Sequence, residues 1–76
     1  MNIKITKNKI EDKINEYQVR TGSTKTWIAT QLGISKQRLY AIFRADNMMI
    51  DVALKLSIFL GCDIKDLFEY DIFDDK

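Results

Sequence analysis

The sequence predicts an all-α domain: a compact bundle of five helices with a short N-terminal arm and an acidic, aromatic C-terminal tail. Three observations predict it. The 76 residues include no proline and only three glycines, so few positions break a helix. Apolar residues recur at spacings of three and four through most of the chain. Gly22, Gly33 and Gly61 each follow such a stretch, where a helix end commonly needs a left-handed residue. The length suits a single domain over residues 1–76, with its core at about 8–69 and the tail at 70–76.

The elements follow in order. Ile3 and Ile5 alternate with polar neighbours, as either a strand or an arm. Asn8 and Glu11 have the spacing of a capping box, and a first helix runs from there to about Arg20, with Ile10, Ile14 and Tyr17 on one face. Thr24 caps a second helix, Lys25 to Leu32, whose apolar members are Ile28, Ala29 and Leu32. Ser35 caps a third, Lys36 to about Arg44, with Leu39, Ile42 and Phe43 facing inward. A fourth helix, about Ile50 to Leu60, is apolar almost all round, as in a central helix or one that also meets a partner.

Asp63 caps a short fifth helix through about Glu69, anchored by Ile64, Leu67 and Phe68. The stretch Tyr70-Asp71-Ile72-Phe73 is apolar enough to dock, while Asp71, Asp74 and Asp75 read as solvating charges. Met48 and Met49 read as loop and core filler. Trp27 reads chiefly as packing over the end of the first helix or the arm, with exposure for a partner as the other reading.

Composition narrows function. Histidine is absent and Cys62 stands alone, which removes the usual general base, the usual transition-metal ligand sets and any internal disulfide. No glycine-rich phosphate loop is present, so neither an enzyme nor a cofactor is implied. No apolar run approaches a membrane span or a signal-peptide core, which makes the cytoplasm the expected address. The net charge of +1 conceals a polarity: residues 1–44 carry nine Lys/Arg against three acids, and residues 45–76 carry three Lys against eight acids. A polyanion is drawn to the first half only.

Only Gly33 and Ile34 separate the second helix from Ser35, so the third helix must leave at a steep angle, as in a helix-turn-helix. The segment Thr24 to Ala45 resembles the DNA-binding segment of the phage Cro/C1 repressor family. Ile28-Ala29, Leu32-Gly33-Ile34-Ser35, Leu39 and Ile42 stand where that family has its core and turn residues. The resemblance extends over about residues 10–68. It implies a five-helix bundle whose third helix lies in the major groove of double-stranded DNA.

On that resemblance Lys36, Gln37 and Ala41 are the candidate base readers: an ammonium for guanine O6 and N7, an amide for adenine N6 and N7, and a methyl for the thymine methyl. Taken alone, Lys36 and Gln37 describe an ordinary solvated helix face, and the motif around them gives them their reading. Arg38, Tyr40 and Arg44 are candidates for holding phosphates, as are Thr24 and Lys25 at the start of the second helix and, more weakly, Asn47. Ser35 is first a cap and second a DNA contact. Many family members pair an Arg on the first helix with a Glu late in the third; here Gln18 and Phe43 stand there, which predicts apolar packing in place of a buried ion pair.

The function implied is a sequence-specific transcriptional regulator, a repressor of the kind carried by phages and mobile elements. It would act as a homodimer through the fourth helix, the fifth helix or the tail. The second reading is a helix-turn-helix module that acts by binding a protein, as an antitoxin, anti-repressor or viral modulator. That reading predicts that charge reversal at Lys36 and Arg38 leaves function intact while truncation after Phe68 abolishes it.

Overall fold

The computed structural model describes residues 1–74; Asp75, read above as a solvating charge, and Lys76 lie outside the described residues. The order is β1 (Asn2–Asn8), α1 (Ile10–Thr21), α2 (Lys25–Leu32), α3 (Lys36–Phe43), α4 (Ile50–Leu60), a single 3-10 turn (Ile64–Leu67) and β2 (Phe68–Phe73). The five-helix, all-α expectation is therefore corrected to four α-helices and a two-stranded antiparallel sheet.

The correction has one physical source. The fifth helix stops after one 3-10 turn, and Phe68 turns extended at φ −139° and ψ 150°. From there Phe68, Tyr70 and Ile72 alternate with Glu69, Asp71 and Phe73, a period of two that suits a strand. The arm supplies the partner, pairing Ile3 with Ile72, Lys4 with Asp71, Ile5 with Tyr70 and Lys7 with Glu69, with an irregularity at Thr6. Opposite charges thus face one another twice across the ribbon, and four apolar residues share its other face. The tail does dock, and its docking site is the arm.

Cross-strand pairing at the two chain ends also absorbs part of the charge polarity. The ribbon's central residues are exposed on both faces, and the molecule measures 47 × 22 × 18 Å. At its base, Lys9 N–H donates to the Leu67 carbonyl at 2.8 Å, which joins the start of α1 to the end of the 3-10 turn.

The helical part encloses one core of Ile10, Ile14, Ile28, Ala29, Leu32, Leu39, Ile42, Phe43, Leu56 and Leu67. Each fully buried Ile or Leu contributes about 1.5–3 kcal/mol by leaving water. In α1, α2 and α3 the core residues are those that the three-and-four spacing set on the inner face, with Tyr17 partly buried beside them. Met48 packs against the core, whereas Met49 is exposed and fills nothing. Trp27 is 45% exposed, with its ring 6.3 Å from that of Phe59, so it covers the core only partly.

Two further expectations are corrected. The N-cap of α1 is Lys9, which makes no side-chain cap bond, and the box between Asn8 and Glu11 does not form. Asn8 instead accepts from Ile10 N–H at 2.9 Å while its amide donates to the carbonyls of Ile42 (2.8 Å) and Ala45 (3.1 Å). At the position of the family's ion pair, Phe43 is buried as expected but Gln18 is not an apolar substitute. Its amide accepts from Lys25 Nζ at 2.6 Å and donates to the Ser23 carbonyl at 3.1 Å.

Candidate nucleic-acid interface

The local sequence sets the angle between α2 and α3. Gly33 takes φ +72°, the left-handed region that costs an L side chain about 1 kcal/mol or more, and so ends α2. Ile34 N–H then donates to the Ala29 carbonyl at 3.0 Å, closing the end of the helix. Two residues later Ser35 Oγ accepts from Arg38 N–H at 3.1 Å and begins α3, while Thr24 Oγ1 begins α2 by accepting from Trp27 N–H at 3.1 Å. Ala29 is 2% exposed at this junction, where a larger side chain has no room.

Leu39, Ile42 and Phe43 bury one side of α3 and fix which side remains outside. At about 100° per residue, Gln37, Ala41 and Arg44 form the crest of the exposed side; Lys36 and Tyr40 flank it on one edge and Arg38 on the other. All six are exposed. Tyr40 is held by an edge-to-face contact with Phe43 at 5.7 Å between centroids. The end of α3 is held from outside the motif, by the Asn8 amide on the carbonyls of Ile42 and Ala45.

Arg38, Ala41 and Asn47 come together around an open groove of about 480 Å³ between α3 and the start of α4, with Met48, Met49 and Val52 along its wall. Lys36, Arg38 and Arg44 form no ion pair among the described residues, where the pair found is Lys7 with Asp12 at 3.3 Å, away from α3. Three cations therefore stand on or beside the crest with their charge uncommitted within the described chain.

Sequence reasoning made Lys25 a candidate phosphate contact, and in the structure its side chain turns to α1. Its ammonium is held by Gln18 Oε1 at 2.6 Å and Asn15 Oδ1 at 3.2 Å on α1. Thr24 and Ser35 use a lone pair for capping and keep a hydroxyl proton to donate. The Asn8 brace was missed because its two acceptors lie 34 and 37 residues away, beyond any local signal. The Gln18–Lys25 link was open to detection: Gln18 and Lys25 face each other across the turn after Gly22, and Asn15 lies one turn before Gln18 on α1.

Among the described residues no group of His, Cys, Asp and Glu is placed to hold a metal, and no helix is long and apolar enough to cross a membrane. Burial pushes the Cys62 thiol above its ordinary range. It lies on the far end of α4 from the groove.

No curated protein and no solved structure matches the chain. The family model of the Cro/C1-type helix-turn-helix DNA-binding domain matches residues 4–72, which includes most of both strands as well as the bundle. With a motif braced at both ends, an exposed crest with uncommitted cations on and beside it and a match over nearly its whole length, the chain belongs to the Cro/C1-type helix-turn-helix DNA-binding domain family.

Proposed function

We propose that the chain is a sequence-specific regulator of transcription, a repressor, that inserts α3 into the major groove of duplex DNA. Gln37 and Lys36 read base edges through amide and ammonium donors, and Ala41 meets a thymine methyl. Lys36 reaches the bases from the N-terminal end of α3, and Arg38, Tyr40 and Arg44 hold phosphates. Thr24, Ser35 and Asn47 donate to the backbone from the helix start, the turn and the groove. Lys25 acts by holding α2 against α1, through Gln18 and Asn15, in place of a direct phosphate contact.

The observation that carries this reading is the exposed crest of Gln37, Ala41 and Arg44 on a helix whose other side is locked into the core. Such a helix holds the backbone that carries its outer side chains without a rearrangement, which is what base readout requires. Repression follows from occupancy, as a bound domain excludes other proteins from the same duplex.

The test places the duplex enriched from a random pool upstream of a reporter in cells that produce the chain. Reporter output falls with the wild type and is restored by Gln37→Ala. Output that is unchanged, or that falls equally with both, contradicts the proposal.

A further inference from the structure

The ribbon of β1 and β2 adds nothing to the buried core of the bundle; only Phe68, at its base, packs against that core. From this base an apolar row runs outward along one face through Tyr70, Ile5, Ile72 and Ile3, which are 36%, 40%, 59% and 56% exposed. Two strands with an apolar face open to water are marginal, and a third strand that widens the face makes such a sheet stable.

The two outer edges of the ribbon are unequal. β1 has the irregularity at Thr6, which bends a strand and breaks its register, and it carries Lys4 and Lys7, the charge that commonly guards an edge. β2 pairs from Phe68 to Phe73 without a break and has no lysine. Alternate N–H and C=O groups along β2 point away from β1, and no other strand among the described residues pairs with them.

The inner edge of β2 displays the chemistry of the strand it accepts. Tyr70 and Ile72 stand opposite Ile5 and Ile3, while Glu69 and Asp71 stand opposite Lys7 and Lys4. Side chains of a strand stand on its faces, so both of its edges offer a neighbour the same row. A strand added outside β2 therefore meets the same requirement: aliphatic residues beside Phe68, Tyr70 and Ile72, and a cation beside each of Glu69 and Asp71. An acidic strand or a phosphate backbone would be set against those two carboxylates. The β1 of another copy has the right composition, but it is already paired with its own β2, and copies joined edge to edge in that way would build an open-ended filament.

We infer that the outer edge of β2, Phe68 to Ile72, is a docking site for an extended segment of another protein in which aliphatic residues alternate with Lys or Arg, added as a third strand. This gives the chain a protein-binding surface beside its DNA-binding one. It is tested without DNA, so either reading can fail alone.

The probe is a fluorescein-labelled peptide containing Ile-Lys-Ile-Lys-Ile, titrated with the full chain and followed by anisotropy. The controls are Ile-Glu-Ile-Glu-Ile and the rearranged Ile-Ile-Ile-Lys-Lys. The alternating Lys peptide binds about tenfold more tightly than either control, and amide hydrogen exchange slows along β2. In the quadruple variant Lys4→Glu, Lys7→Glu, Glu69→Lys, Asp71→Lys the cross-strand pairs persist with their signs exchanged. Circular dichroism then shows an unchanged fold, and the preference passes to the Glu peptide. Absence of binding overturns the inference, as does equal binding of the alternating and rearranged Lys peptides. So does a preference that fails to reverse in the variant, or protection gained on α4 or on the outer edge of β1 and not on β2. A chain that forms filaments by itself at the concentrations of the titration also overturns it, because the edge is then the seat of another copy.

Discussion

Removing the Asn8 side chain severs a polar brace between the start of α1 and the end of α3. Asn8→Ala deletes three hydrogen bonds at once, of 2.8, 2.9 and 3.1 Å, all partly buried. At a net 0.5–1.5 kcal/mol each, and with water able to reach some of the abandoned groups, the loss is about 2–3 kcal/mol. A chain of this length has about 4–11 kcal/mol of stability in all, so the variant folds but melts roughly 10–20 °C lower. Asn8→Asp keeps the acceptor for Ile10 N–H but turns an oxygen toward the two carbonyls, so it does not rescue.

Thermal and urea unfolding followed by circular dichroism measure the loss. Hydrogen exchange then locates it: the amides at the end of α3, around Arg44 and Ala45, lose protection beyond the global change. An Asn8→Ala variant within about 0.5 kcal/mol of wild type, or one that Asn8→Asp restores, would refute the brace.

Other perturbations separate core, cap, site and thiol. Leu39→Ala empties a fully buried position and costs about 2–5 kcal/mol by unfolding, whereas Ser35→Ala removes only a cap and costs about 1 kcal/mol. Arg44→Ala lowers the salt dependence of DNA binding by about one ion, and Lys25→Met changes it less, because that ammonium is already held by Gln18 and Asn15; gel-shift titration across salt reads both. Deleting residues 1–7 together with 69–76 removes most of the ribbon but no core residue, and the helical signal in circular dichroism persists. Cys62 reacts with a disulfide reagent more slowly than a free thiol at pH 8, because its raised pKa leaves less thiolate there.

The parts of this fold that were legible in sequence are those whose cause is local. Gly33 and Ser35 announce the turn of the motif by backbone conformation and capping, and Ile28, Leu39 and Ile42 announce the core by their spacing. The expected fourth helix, about Ile50 to Leu60, agrees with α4, because Gly61 terminates it and the loop precedes it. What failed was long-range. Ile64 to Glu69 has helical spacing and a good cap, yet the alternation of Phe68 to Phe73 finds a partner in Asn2 to Asn8 at the other end of the chain. Strand pairing across the whole sequence overrode a local preference.

The site divides in the same way. Exposure of Lys36, Gln37, Ala41 and Arg44 follows from the period of α3, whereas Lys25 read as a phosphate contact because its two partners sit on α1. The excess of exposed aliphatics on α4 was already visible as a helix apolar almost all round. Only the structure shows which three of them the core leaves out.

The claim that α3 reads base sequence is tested most directly by selection of random duplex DNA on the purified chain, run at two salt concentrations beside the double variant Lys36→Ala, Gln37→Ala. The account predicts an enriched motif for the wild type that persists at the higher salt and that the double variant, still folded, loses. Weak, salt-sensitive binding without a motif, or the same motif enriched by both proteins, contradicts it.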